Sequence, residues 1–110
     1  FVTICQAAKD SDGYTIVGIE ENDQPLALMG YRILYDLVRG KHFYIDDLVT
    51  EERHRSQGLG AQLLNWAEGQ AALLGCRVLR LCTGIENVDG VKFYERQGCT
   101  RRAFAYTKKI

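Results

Sequence analysis

The spacing of apolar residues divides the chain into short strand-like runs and one long helical stretch. Tyr14 to Glu20 (YTIVGIE) has the β-branched and apolar make-up of a strand. Glu21-Asn22-Asp23-Gln24 is a polar turn, and Pro25 to Leu34 (PLALMGYRIL) is the next strand, so the two predict an antiparallel hairpin. A connection from Tyr35 to Lys41, containing Gly40, leads into the strand Tyr44 to Thr50, and the three strands make a meander. From about Gly58 to Leu74, residues Leu59, Leu63, Trp66, Ala67, Leu73 and Leu74 recur near one side of a helix, and Gly75 ends it. Arg77 to Thr83 (RVLRLCT) is strand-like again. A strand–helix–strand crossover makes its flanking strands parallel, with a right-handed connection.

The two ends are read in the same way. Gly84 to Asp89 is a loop, and Val91 to Gln97 is a short helix with Asn87 or Asp89 as cap and Gly98 as terminator. Cys99 to Ile110, with Phe104 and Tyr106 alternating, predicts a last strand. At the front, Phe1, Ile4, Cys5 and Ala8 recur at helical spacing, which predicts the end of a helix stopped near Ser11-Asp12-Gly13. A strand stays open for the first few of these residues. The expected fold class is α/β (α+β): a mixed central sheet, an antiparallel meander followed by a parallel β-α-β step, flanked by helices.

Length and charge narrow the function classes. The 110 residues suffice for one domain with one core, and no repeat or boundary divides them. Fourteen basic and fourteen acidic residues cancel, which argues against a broad basic face for nucleic acid, although Arg53, His54 and Arg55 form a local basic patch. No stretch is long and apolar enough to span a membrane, and no signal peptide is visible; the cytoplasmic expectation rests on the cysteines. Cys5, Cys76, Cys82 and Cys99 lack metal-site spacing, so no metal is expected, and reduced thiols suit that compartment. His42 and His54 are bases by type, but their spacing supports only surface roles.

The chemistry concentrates between Tyr44 and Leu64 (YIDDLVTEERHRSQGLGAQLL), where a strand runs through a short polar loop into a glycine-punctuated helix start. The first turn of a helix has N–H groups with no intrahelical partner, and the helix dipole adds partial positive charge, so together they attract phosphate. Gly58 and Gly60 carry no side chains to keep such a group away, and Arg55 and Gln57 add donors. A P-loop is excluded because no lysine or hydroxyl residue follows Gly60. A dinucleotide fingerprint is excluded because Ala61 to Leu63 supplies no third glycine.

What remains, Arg55-Ser56-Gln57-Gly58-Leu59-Gly60 after a strand ending Leu48-Val49-Thr50, resembles the GNAT superfamily of acyl-CoA N-acyltransferases. A second segment, Asn87-Val88-Asp89-Gly90-Val91-Lys92-Phe93-Tyr94-Glu95-Arg96-Gln97-Gly98, is similar to that family's Asn-x-x-Ala-x-x-Phe-Tyr-x-x-x-Gly, with Gly90 in place of the alanine. The resemblance runs from about Gly13 to the end and makes the whole chain, 1–110, one GNAT-type domain with short or missing amino-terminal helices. It implies that the loop from Arg55 to Gly60 holds the pyrophosphate of acetyl-CoA. It also implies that Leu48, Val49 and Thr50 bind pantetheine through main chain, and that Asn87 and Tyr94 lie by the pantetheine and thiol. Tyr94 is implied as the acid that reprotonates the leaving thiolate.

The family usually begins with an extra strand and one or two helices that help to build the acceptor pocket, and only Phe1 to Lys9 could stand for the last of these. Either the chain is a trimmed piece, or the pocket is completed otherwise, for example by a partner subunit; the resemblance also implies a homodimer.

Acyl transfer from a thioester to an amine needs a held thioester, a neutral amine, a donor for the oxyanion and an acid for the thiolate. Asp46 aligns with an acidic residue that resembles the general base of polyamine-type members and is the favoured base, and Asp47 is the second choice or an acceptor ligand. Alternation along a strand places the two on opposite faces, so at most one meets the acceptor. A carboxylate of pKa about 4 works best as a base through water or with its pKa raised by burial. The resemblance therefore implies an acetyltransferase acting on a primary amine. The alternative is a non-catalytic acyl-CoA-binding sensor or assembly module, which the glycine loop fits equally well.

Overall fold

In the computed structural model, residues 3–9 are described at the level of the backbone, and residues 13–51 and 57–110 in full. Five strands form one mixed sheet in the order β1-β2-β3-β4-β5, with β1 spanning Thr3–Lys9, β2 Thr15–Glu21, β3 Gln24–Asp36, β4 Gly40–Thr50 and β5 Leu79–Leu81. The first four strands are antiparallel, and β5 joins β4 in parallel through helix α1, Leu59–Leu73. A second helix, α2, spans Val88–Arg96.

Local chemistry explains the turns. Asn22 and Asp23 both adopt positive φ, 52° and 63°, between the paired Glu21 and Gln24. This is a type I′ two-residue turn, whose twist matches that of the strands it joins. At the β3–β4 corner Asp36 accepts hydrogen bonds from the backbone N–H groups of Val38 and Arg39, and Gly40 supplies the left-handed residue that closes the loop. Both helices end alike. Gly75 and Gly98 take positive φ, while the N–H groups of Cys76 and Cys99 reach back to the carbonyls of Ala71 and Tyr94.

The core lies between one face of the sheet and α1. Val17, Ile19, Ala27, Met29, Phe43 and Ile45 meet Leu59, Leu63, Leu64, Ala67 and Ala71. Tyr31 stacks on Phe43 with ring centroids 4.4 Å apart, and Trp66 meets the edge of Tyr31.

Several expectations need correction. Thr3–Lys9 is a strand paired with β2, not a helix end. Apolar residues four apart satisfy a helix, but a strand along the open edge of β2 satisfies the backbone of both segments. The buried stripe of α1 includes Leu64 and Ala71 rather than Leu73, which is 82% exposed. β5 is three residues long, shorter than Arg77 to Thr83. α2 starts earlier than Val91, because Asn87 caps it. Cys99 to Ile110 forms no strand; Phe104 and Tyr106 are 84% and 91% exposed, and alternation alone makes no strand where the segment pairs with no neighbour. His42 is buried, 1% exposed, with Nδ1 3.0 Å from the Gly40 carbonyl, so its expected surface role is overturned. His54 lies outside the described residues.

Candidate active site

The site begins where the parallel seam opens. β4 and β5 pair only through Phe43↔Leu79, Tyr44↔Arg80 and Ile45↔Leu81. Beyond Ile45, β4 continues to Thr50 against β3 alone, as far as Thr50↔Ala27. Backbone groups of this stretch that point away from β3 therefore meet no strand among the described residues. Leu48 turns inward onto the core, while Val49 is 59% exposed and Thr50 is half-buried.

α1 starts beside that opening. Its N-cap, Gly58, has φ 75° and ψ 15°, with no side-chain cap and no acidic residue in the first turn. A β-carbon there would meet nothing within 4 Å, so the helix end faces open space. The N–H groups of its first turn lie ahead of the first intrahelical bond, from Gln62 N–H to the Gly58 carbonyl at 3.0 Å. Gln57 is exposed immediately before.

Gly60 plays a different part from the one its neighbour suggests. A β-carbon there would come within 3.1 Å of the Phe93 ring. It lets α2 press against the foot of α1, so the two glycines divide their labour: Gly58 turns the chain, and Gly60 admits an aromatic ring. That packing places α2, with Tyr94 beside Phe93, near the helix start. The Phe93 and Tyr94 rings meet edge-on at 5.2 Å, and Tyr94 lies against the core. Burial, then the nearby Cys99, pushes the Tyr94 hydroxyl above its ordinary pKa of 10.0.

Asn87 is occupied by the fold. Its Oδ1 accepts from the Gly90 N–H at 3.1 Å, and its Nδ2 donates to Thr83 Oγ1 at 3.1 Å. The absent side chain at residue 90 is what gives the cap its room, because a β-carbon there would collide with the Asn87 amide.

The two aspartates are rearranged by a β-bulge. Gly30 pairs with Asp47 and Tyr31 with Ile45, so Asp46 is the extra residue on β4. The bulge breaks the alternation on which the opposite-faces expectation rested. Asp46 meets Arg32, and Asp47 sits across from Gly30, two residues from Arg32 on the same side of β3. Both carboxylates thus lie on the sheet face away from α1. Asp46 takes a two-pronged bond from Arg32, with Nη2 to Oδ1 at 2.6 Å and Nε to Oδ2 at 2.9 Å. Asp47 is exposed and accepts one bond, from the Tyr14 hydroxyl at 2.5 Å. Sequence reading missed Tyr14 and Arg32. The glycine inside PLALMGYRIL was the available sign, because glycine within a strand marks a bulge or a close approach.

Arg55 and Ser56 lie outside the described residues. Among the described residues no group of three His, Cys, Asp or Glu side chains could hold a metal ion. Cys76, Cys82 and Cys99 are free thiols. No described helix is long and apolar enough to cross a membrane.

A strand that parts from its parallel neighbour at the foot of an uncapped, glycine-led helix marks the candidate site of this α/β protein. Residues 1–99 match the model of the Acetyltransferase (GNAT) family, and the chain belongs to that family, whose members are acyl-CoA-dependent acetyltransferases. It is 29% identical to the uncharacterized N-acetyltransferase YhdJ of Bacillus subtilis, over 96% of this chain and 75% of that protein. It is 38% identical to an aminoalkylphosphonate N-acetyltransferase of Salmonella typhimurium, over 60% of this chain and 43% of that one. A putative acetyl transferase from Pyrococcus furiosus superposes with a TM-score of 0.79 at 28% identity, covering 94% of this chain and 68% of that structure.

Proposed function

We propose that the chain, acting as one GNAT-type unit, transfers an acetyl group from acetyl-CoA to a primary amine by direct attack. The observation that carries this reading is the coincidence of the opened β4–β5 seam with the uncapped start of α1. Backbone amides from Gln57 to Gly60 hold the diphosphate, and the family resemblance adds Arg55 and Ser56 to that contact. Main-chain groups of Leu48, Val49 and Thr50 line the pantetheine arm, and an N–H of this edge polarises the thioester carbonyl.

The proton inventory follows from the side chains. A carboxylate on the outer face, Asp47 with its one neutral donor in preference to the ion-paired Asp46, accepts the proton that the ammonium must lose. The nitrogen lone pair then bonds to the carbonyl carbon, the C–S bond breaks, and the sulfur leaves with its electron pair. Tyr94, whose raised pKa keeps the hydroxyl protonated, supplies a proton to that sulfur and regains one from solvent. The nitrogen sheds its second proton to water and Asp47 returns the first to solvent, leaving an amide and a free thiol. Asn87 contributes by holding the start of α2 in place.

The family's use of acetyl-CoA supports the donor. The free thiols fit a cytoplasmic setting, and a homodimer rests on resemblance. The relative in Salmonella typhimurium is named for an aminoalkylphosphonate acceptor, so that class joins polyamines, amino acids, aminoglycosides and peptide amino termini as candidates. Thiol release from acetyl-CoA across this panel tests the proposal. Release with one class is the expected result. Tight CoA binding with no release for any amine would instead favour an acyl-CoA sensor.

A further inference from the structure

We propose that Tyr14 is a positioning residue for the acceptor amine, reaching from the start of β2 across Gly30 of β3 to fix the Asp47 carboxylate on β4. This rests on the acyl-transfer reading above and assigns the amine end of that site.

Three observations meet here. Tyr14 and Asp47 are 33 residues apart in sequence, yet the hydroxyl donates to Asp47 Oδ2 at 2.5 Å. The link passes over a strand that carries glycine at that point, and a β-carbon on Gly30 would collide with the end of the tyrosine side chain. The bulge at Asp46 supplies the third part. Without it Asp47 would follow the alternation of Phe43 and Ile45 into the core; with it, Asp47 faces outward across from Gly30.

The two neighbouring carboxylates then differ in what they can offer a cation. Asp46 already has both oxygens engaged by a guanidinium. Asp47 is held by a neutral donor, which fixes its orientation without cancelling its charge. Its Oδ1 makes no hydrogen bond with a described residue, and that oxygen is the one presented to an incoming ammonium. A carboxylate held in one orientation saves the ordering cost that a mobile one would incur when the amine arrives. The expected ligand is therefore a cationic primary amine approaching the outer face of the sheet, where β4 leaves β5.

The test is a double-mutant cycle of Tyr14→Phe and Asp47→Asn. It is read as thiol release from acetyl-CoA with spermidine, 2-aminoethylphosphonate, kanamycin and an alanine-terminated peptide as acceptors. Tyr14→Phe removes one exposed hydroxyl, so folding and CoA affinity should stay as in the parent. In the parent background it should lower kcat/KM for the amine by about tenfold, the usual scale for a hydrogen bond to a charged group. In the Asp47→Asn background it should cost nothing further, because no carboxylate is left to orient. An equal loss in both backgrounds, or none in either, would overturn the positioning role while leaving the acyl-transfer reading intact. Turnover absent from the unaltered protein with all four amines would overturn that reading and this one with it.

Discussion

The two edges of β4 make the most informative contrast in the molecule. Towards β3 the strand pairs from Asp36↔Gly40 to Ala27↔Thr50, interrupted by a single bulge. Towards β5 it pairs at three positions and then parts. One edge therefore has its hydrogen-bonding groups committed to the fold, and the other leaves a row of them for something else. Among the described residues no strand completes that row, so it is open to a ligand or to water. The comparison teaches that stability and binding are separable here: substitutions on the β3 side should act on folding, and those at the seam and helix start should act on ligands.

The largest expected effect belongs to the committed side. Phe43 is fully buried and stacked on Tyr31. Phe43→Ala should cost about 3–5 kcal/mol of stability, enough to unfold a marginal domain, measurable by denaturant titration. On the outer face, Asp47→Asn should lower amine turnover by about a hundredfold, the lower end of general acid–base effects, with little change in melting temperature. Asp46→Asn should do less to turnover, because Arg32 already occupies that carboxylate, and on this half-exposed pair its stability cost should stay below about 1 kcal/mol. If the two variants exchanged these outcomes, the assignment of the aspartates would have to be reversed.

Smaller still is the capping effect. Asn87→Ala removes the acceptor for the Gly90 N–H and should cost about 1 kcal/mol, read as a lower melting temperature with CoA affinity kept. The mildest effect is on pH. Tyr94 keeps its proton in the folded chain to a higher pH than in the unfolded one, so above about pH 10 the native state binds more protons. Stability attached to this group should therefore be unchanged below pH 10 and fall as pH rises beyond it. Tyr94→Phe should flatten that alkaline slope while slowing acetyl transfer.

The meander, the long helix and the parallel step were legible in the sequence because each has its own period and is bounded by glycine or polar turns. The two ends were not. Phe1 to Lys9 has spacing compatible with a helix, and only the open edge of β2 decides for a strand. Cys99 to Ile110 has strand spacing but pairs with no strand. Of the candidate site's framework, the glycine-led start of α1 and the place of Tyr94 on a short helix were readable from spacing. The division between Gly58 and Gly60 was not, since it depends on where Phe93 falls in space. Nor was the shared face of Asp46 and Asp47, because one bulge inverts every alternation argument downstream of it.

The central claim is that main-chain amides at the start of α1 grip the diphosphate of a coenzyme A thioester. Calorimetric titration of CoA into the parent chain and into Gly58→Glu tests it most directly. Gly58 sits at φ 75° in open space, so the substitution adds a carboxylate and backbone strain at the proposed phosphate position. The account predicts saturable heat for the parent and affinity weaker by at least about tenfold for the variant, provided circular dichroism shows it folded. No heat from the parent, or the same binding curve from both proteins, would contradict it.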